Sequence, residues 1–398
     1  MFTDRNPLNK FKSNSELAYH LQKIRFIEIS DEVGGEDIWL RRISSLYGTE
    51  PIVLWKKNSP FPGFHNKGIN RILNYFVKVS CRLNYQMGRG IFLNLLIYAL
   101  KLDTFDGVTF FSTTYVPIPK GGNIVSYIHT PSRRMTVDFV DLKKFEKNRS
   151  RLKFLIILVF RFFYRTVYSM SLDHSQINLS NSQNVRERTL QFTGRDSIVV
   201  YPTQNVSEFY NLGYGNYFLY VSRLERYKRQ DFAIRAFKLF QENVKNFNLI
   251  LISPSPRTYE EKEYYKELLS LIKSESLDVT FEFNLTRSEV IQKYANAFAC
   301  LFTAKNEDLG QIPIESMSAE KPIIAINDKG PSETIIDGIT GYLVSNEKEM
   351  AEKMIFLANH PDIAEKMGKS GRIRALEYFD DSVFKARLDE IINEFSIL

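Results

Sequence analysis

The sequence predicts an α/β protein built from two doubly wound parallel sheets in two domains. Three observations carry that prediction. Apolar runs of strand length alternate with segments of helical periodicity along most of the chain. The alternation breaks once, in a polar Gly/Asn-rich stretch at 202–214, and then starts afresh. A length of 398 residues also exceeds what one ordinary core holds.

The first 22 residues are polar and rich in Lys and Asn, and are expected to be an extension ahead of the fold. From Ile24 to Ser30 a strand-like run ends in Asp31-Glu32-Val33-Gly34-Gly35-Glu36 and enters a helical pattern through Trp39, Ile43 and Leu46. Further strands are expected at Val108–Ser112, Asn123–Ile128, Gln176–Leu179 and Ser197–Tyr201. After the polar stretch the strands are Tyr217–Ser222, Asn248–Ser253, Val279–Phe283, Ala299–Thr303 and Pro322–Asn327. The helices between them are Gln230–Val244, Glu260–Lys273, Arg287–Ala297 and Pro313–Ala319. Ser382–Phe395 carries apolar residues at helical spacing. The expected organisation is an extension at 1–22, a Rossmann-like domain at 23–205, a second at 206–378, and a C-terminal helix at 379–398 packing back on the first domain.

Composition narrows the class. The chain is 44% hydrophobic and 25% charged, as a soluble globular protein is, and its 14% aromatic content is expected mostly in the cores. Cys81 and Cys300 stand far apart without metal-ligand spacing, so a disulfide framework or structural zinc is not indicated and a reducing, cytoplasmic setting is expected. The longest apolar run, Phe154–Phe160, has about a third of the roughly 20 residues that span a bilayer, and the N-terminus has no signal-peptide core. The net charge of +7 is concentrated at 143–165, where Lys143, Lys144, Lys147, Arg149, Arg151, Lys153, Arg161 and Arg165 interleave with Phe and Leu. Such a stretch fits either a core helix with solvated flanks or the face of a peripheral protein on an anionic membrane. No recognition motif accompanies the charge, so nucleic acid is not an expected partner.

The residues suited to chemistry fall at strand ends. KNEDLGQIPIESMSAE, from Lys305, places Glu307 and Glu315 around a Gly-Gln-Ile-Pro helix start, with Glu315 expected in the first turn. Free amides at a helix start attract phosphate, whereas ionised carboxylates accept from hydroxyls, and together they suit a sugar nucleotide. Arg223 and Lys228 follow the strand at Tyr217 and suit either a diphosphate or bulk solvent. Gly330-Pro331-Ser332-Glu333 makes a second Gly-rich turn into a helix. In the first domain, YIHTPSR puts His129 at a strand end, where it is either a substrate group or a structural hydrogen-bonder. Gly34 and Gly35 would let backbone approach a ligand closely but lack dinucleotide-fingerprint spacing.

Taken together, these segments resemble retaining glycosyltransferases of family 4. YFLYVSRLERYKRQDFAIRAF is similar to the family's strand–GRL–xxxK–helix segment, and NEDLGQIPIESMSAEKPIIAINDKGPSETIIDGITGYLV to its donor-site block. IHTPSR is similar to the acceptor-domain histidine motif of its mannosyl- and related hexosyltransferases. The likeness runs from Lys23 onward and is strongest from Tyr201 to Val344.

The resemblance implies a GT-B fold, two facing Rossmann-like domains with an inter-domain cleft, and transfer of a hexose from a nucleoside diphosphate sugar to a hydroxyl of a glycan or lipid-linked acceptor. By it, Arg223 and Lys228 bind the donor diphosphate, Glu307 contacts the sugar and Glu315 the ribose. The amides of Leu309, Gly310, Gln311 and Ile312 hold sugar and phosphate, and Glu333 assists. His129 sits near the reacting sugar, with Gly34 and Gly35 near the diphosphate. No metal or other cofactor is expected, since Arg223 and Lys228 supply the charge. The leading donors are GDP-mannose and UDP-glucose. The alternatives are a catalytically silent GT-B scaffold, and a protein whose main purpose is membrane attachment through 143–165.

The sequence departs from the family at four places. Ser222 stands where glycine is usual, and Glu36 directly follows the two glycines. Glu320 replaces a small residue, and Phe281–Asn284 lacks a glycine.

Overall fold

The structure is a computed structural model that describes residues 24–28, 35–53, 107–113, 118, 123–131, 162 and 165–396. The basic stretch at 143–165 and Gly34 therefore lie outside the described residues, apart from residues 162 and 165. By packing, the chain divides into two compact units. The first comprises residues 1–181, 185–200 and 385–398, and the second residues 182–184 and 201–384, so the division falls at Val200, a little ahead of the expected boundary.

The first unit is a parallel sheet of six described strands: β1 (Ile24–Glu28), β2 (Ile52–Val53), β3 (Val108–Thr113), β4 (Asn123–Ile128), β5 (Ile177–Ser180) and β6 (Ile198–Val199). They lie in the order β2-β1-β3-β4-β5-β6. Helix α1 (Gly35–Leu46) packs on the sheet through Trp39, Leu40 and Ile43, all buried, with the Trp39 ring stacked 4.4 Å from Tyr127. Helix α2 (Gln183–Thr193) connects β5 to β6.

The second unit is a parallel sheet of β7 (Tyr217–Val221), β8 (Asn248–Ser253), β9 (Val279–Phe283), β10 (Ala299–Phe302), β11 (Ile323–Ile326) and β12 (Gly341–Val344). Its order is β12-β11-β10-β7-β8-β9. Counted from the unit's first strand this is the 3-2-1-4-5-6 order of doubly wound nucleotide-binding sheets, with the reversal between β7 and β10.

Alternation along the strands feeds two cores. Phe218 and Tyr220 of β7, Leu249 and Leu251 of β8, and Ile324 and Ile326 of β11 face one. Leu219, Ile250, Ile252, Ile323 and Ala325 face the other. Period 2 sends successive side chains to opposite faces, so β7, β10 and β11 are apolar throughout.

The first core is closed by α3 (Gln230–Asn243), α4 (Tyr259–Ser274) and α8 (Glu347–Asn359), through Phe232, Phe237, Phe240, Leu268 and Met354. The second is closed by α5 (Arg287–Asn296) and α6 (Gln311–Ser318), through Ile291, Tyr294, Ile314 and Met317. Helix α7 (Lys329–Thr334) follows β11, and α9 (Pro361–Tyr378) precedes the final helix α10 (Asp381–Ser396). Thr258 and Thr286 open α4 and α5 with capping boxes to Glu261 and Glu289, satisfying amides that a helix start leaves without partners. From Lys385 onward α10 packs within the first unit. Asp389 there accepts a 2.6 Å hydrogen bond from the Tyr47 hydroxyl, and the Lys385 ammonium lies 4.6 Å from that ring's centre.

Lys321, at the junction of α6 and β11, is fully buried. Its ammonium donates to Asn211 Oδ1 at 2.6 Å and to the Gly213 carbonyl, and lies 4.2 Å from the centre of the Tyr214 ring. Burial still disfavours the charge and lowers the group from its ordinary 10.5 to about 8. Above the lowered value the folded chain has shed a proton that the unfolded chain keeps until its own value is reached. This group therefore makes stability rise with pH between about 8 and 10.5. Relative to Lys321→Met, the wild type should gain stability across that window in urea denaturation at matched pH; parallel pH curves for the two proteins would overturn the assignment.

Candidate functional site

In a doubly wound sheet the ligand crevice lies beyond the carboxyl ends of the strands at the order reversal. In the second unit that position is between β7 and β10, and the chain leaving those strands carries the charged residues singled out in the sequence. After β7 the chain runs through Ser222 and Arg223 into a single 3₁₀ turn at Arg226–Lys228. Arg229 follows in the left-handed conformation, with φ +59°, and opens α3.

The Lys228 carbonyl faces inward at this reversal. It accepts from the Tyr220 hydroxyl at 2.5 Å and lies 2.9 Å from Thr303 Oγ1. The Lys228 ammonium lies 2.6 Å from Glu307 Oε2, both side chains being largely buried at 14% and 19% exposed. Arg223 is instead 65% exposed and reaches Glu225 at 3.0 Å and the Tyr227 hydroxyl at 3.2 Å.

Ser222, unusual in place of glycine, has a local explanation. Gln230 Nε2 donates to its hydroxyl at 2.8 Å and to the Arg223 carbonyl at 2.7 Å, so the side chain tethers the loop to the start of α3.

After β10 the chain passes Thr303 and turns at Asn306, with φ +55°, whose amide donates to Asp328 at 2.6 Å. At Gly310 φ is +88°, a value that favours glycine, and α6 begins at Gln311. The helix therefore starts ahead of the expected Pro313. A proline at its third position costs nothing, because the N–H it lacks would have had no intrahelical acceptor. The earlier start moves Glu315 out of the first turn. The first-turn amides of Gln311 and Ile312 have no acceptor within the helix, and Leu309 and Gly310 precede them. The Leu309 side chain is buried in the second core.

The two glutamates do not act as a pair. Glu307 meets Lys228, whereas Glu315, 8% exposed, accepts from Arg287 Nη1 at 2.6 Å and from the Tyr294 hydroxyl at 2.9 Å. Burial first, and then the Glu315 charge, push the Tyr294 phenol well above its usual range. Arg287 and Tyr294 were missed in the sequence. Their spacing of two turns on α5 puts them on one face, but nothing in the pattern says which carboxylate that face meets.

Glu333 accepts from the backbone amides of Gln183 and Asn184, each at 2.7 Å, so its carboxylate is held on main chain. Asn184 Nδ2 lies 3.4 Å from the Glu307 carbonyl, which also receives the Gly330 amide at 3.2 Å.

In the first unit His129 follows β4 and is 8% exposed. Its Nε2 lies 2.9 Å from Ser112 Oγ, and its ring stands edge-on to Trp39 at 4.7 Å and to Tyr127 at 5.0 Å. Gly35 is the first residue of α1.

Residues 207–374 match the family model for glycosyl transferases group 1. The chain is 26% identical to the alpha-1,3/1,6-mannosyltransferase of Mus musculus over 243 residues, 56% of this chain and 59% of the relative. It is 27% identical to the capsular polysaccharide biosynthesis glycosyltransferase CapM of Staphylococcus aureus over 180 residues, 44% of this chain and 45% of that protein. The chain thus spans little more than half the length of the mannosyltransferases it matches. Among solved structures, Anabaena HepE in complex with UDP and glucose superposes with a TM-score of 0.65 at 16% identity, covering 93% of this chain and 99% of that one. Sucrose-phosphate synthase from Thermosynechococcus elongatus gives a TM-score of 0.68 at 15% identity, covering 94% and 99%.

Gly330 sets how closely the β11 turn approaches the loop after β10. A Cβ there would lie 2.5 Å from Leu309 Cα, and backbone cannot yield as a flexible side chain does. Gly330→Ala should therefore displace the loop at 305–310 and cost about 1–3 kcal/mol. A lowered melting temperature with faster proteolysis at Lys305 is the expected outcome, and a melt and cleavage pattern identical to wild type would count against it.

Proposed function

We propose that this chain, a group 1 glycosyltransferase of GT-B fold, moves a hexose from a nucleoside diphosphate sugar to a hydroxyl of a glycan or lipid-linked acceptor, with retention at the anomeric carbon. The observation that carries the proposal is the grouping at the β7/β10 reversal. A largely buried lysine, a carboxylate 2.6 Å from it and the amide-bearing start of α6 all belong to the chain leaving these two strands.

In this reading Lys228 and Arg223 neutralise the diphosphate as the bond from the anomeric carbon to phosphate oxygen breaks, and the amides of Gln311 and Ile312 add to that binding. The acceptor oxygen then bonds to the same face of an oxocarbenium-like carbon, and its proton passes to the departing phosphate. Glu307 accepts from a sugar hydroxyl.

Glu315 keeps capacity for the ribose. Arg287 and Tyr294 each take one lone-pair direction of a group that has about four. The two cations supply the charge that a metal would otherwise bring, so transfer is proposed to need none and to survive EDTA. His129 is proposed to stand near the reacting sugar, on the family motif that IHTPSR resembles.

Mannose from GDP-mannose is the first donor to test, because the relatives matched over more than half of the chain are mannosyltransferases. UDP-glucose is the second. Among the described residues no helix is long and apolar enough to cross a membrane. Cytoplasmic transfer to a lipid-linked acceptor at the membrane surface is part of the proposal.

A thermal-shift panel of nucleotide sugars identifies the donor, since a ligand that binds the folded state alone raises its stability. With that donor, Lys228→Ala and Arg223→Ala should each lower transfer by at least about 100-fold while circular dichroism stays unchanged. Turnover at the wild-type rate in either variant would sink the assignment.

A further inference from the structure

The backbone carbonyls of Lys228 and Arg229 are held by two side-chain hydroxyls from separate strands. Tyr220 lies in β7, and Thr303 follows the last residue of β10; they are 1% and 0% exposed. Tyr220 Oη lies 2.5 Å from the Lys228 carbonyl oxygen. Thr303 Oγ1 lies 2.9 Å from the same oxygen, 2.8 Å from the Arg229 carbonyl oxygen and 2.9 Å from Tyr220 Oη.

Two hydroxyls carry two protons. The arrangement that satisfies both carbonyls has Tyr220 donate to Lys228 and Thr303 donate to Arg229. The clasp meets a local need. At Lys228 the 3₁₀ turn stops and Arg229 adopts φ +59°, a conformation that costs a residue with a Cβ about 1 kcal/mol. The reversal also turns the Lys228 carbonyl into the protein, where an unsatisfied acceptor is expensive.

We infer that Tyr220 and Thr303 are positioning residues for the donor-diphosphate cation: by fixing the Lys228 and Arg229 carbonyls they set the direction from which the Lys228 ammonium reaches Glu307 and the phosphates. The inference rests on the proposed role of Lys228 in donor binding. It adds that the geometry of this cation is fixed at the reversal point by a hydroxyl from each of the two strands that flank it. Both hydroxyls are buried and act through this pair of main-chain carbonyls.

The test is a double-mutant cycle on nucleoside diphosphate binding, followed by isothermal titration of UDP and GDP with the full chain. Thr303→Val removes the proton and keeps the shape, and should weaken the diphosphate that binds by about tenfold, as losing one well-placed charged hydrogen bond does. Thr303→Ser keeps the donor and should restore affinity. In a Lys228→Met background Thr303→Val should have no further effect, because the ammonium it would aim is gone. Tyr220→Phe should follow the same pattern.

Equal losses from Thr303→Val in both backgrounds, or unchanged affinity in the wild-type background, overturn the inference and leave the donor-site reading standing. A wild-type protein that binds neither UDP nor GDP overturns that reading itself. Thr303→Val alone should raise KM for the sugar nucleotide more than it lowers kcat, which a merely structural hydroxyl would not do selectively.

Discussion

A parallel sheet delivers every strand end to the same edge, and each connection must carry the chain back across a face before the next strand begins. In the second unit, α3 returns over one face and α6 over the other, so the loops leaving β7 and β10 diverge between them. The grouping of Lys228, Glu307 and the start of α6 is attached to that divergence. Lys228 and Arg223 ride on the loop of one strand, Glu307 and the start of α6 on the loop of the other, and the β11 turn braces the second loop through Asp328 and Gly330. The site follows from the topology, and local sequence decides only which atoms occupy it.

The buried charges at this edge are already neutralised within the protein. Lys228 meets Glu307, and Glu315 meets Arg287, so neither buried carboxylate is left unpaired in a region where desolvation is costly. In the proposed function, a donor diphosphate would compete with Glu307 for the lysine. On that proposal the energetic result is an exchange of partners, which avoids holding an uncompensated buried charge. Arg223 differs, because at 65% exposed it adds little to stability and stays free to reorient towards a ligand.

Much of this was legible in the sequence. Five of the six described strands of the second unit were readable as short runs bounded by turn residues, whereas the four-residue β12 after the Gly338 turn was not. The placement of Arg223, Lys228 and Glu307 in the chain leaving β7 and β10 was readable because those runs end just ahead of them. What stayed hidden was side-chain partnership.

Glu315 was expected in the first turn because Pro313 favours that position, whereas the left-handed Gly310 starts the helix earlier. Its partners Arg287 and Tyr294 come from a helix whose facing is a tertiary property. Glu333 was expected to assist the donor, and nothing in its Gly-rich turn showed that its carboxylate accepts from the amides of Gln183 and Asn184. Ser222 looked like a departure until Gln230, eight positions on, supplied its donor.

The alternation along β7, β8 and β11 has a consequence for how such a protein can change over time. Since successive residues enter different cores, the sheet is a partition between two compartments whose contents hardly meet. A volume change under α6, near Ile314 and Met317, must be absorbed by its own side, through residues such as Phe302 and Leu309. The compartment beneath α3, whose start carries the lysine loop, has a separate inventory. Substitutions on the two sides should accumulate almost independently, as distant sites do. The loop after β10 can then drift in form while the lysine loop after β7 keeps its own.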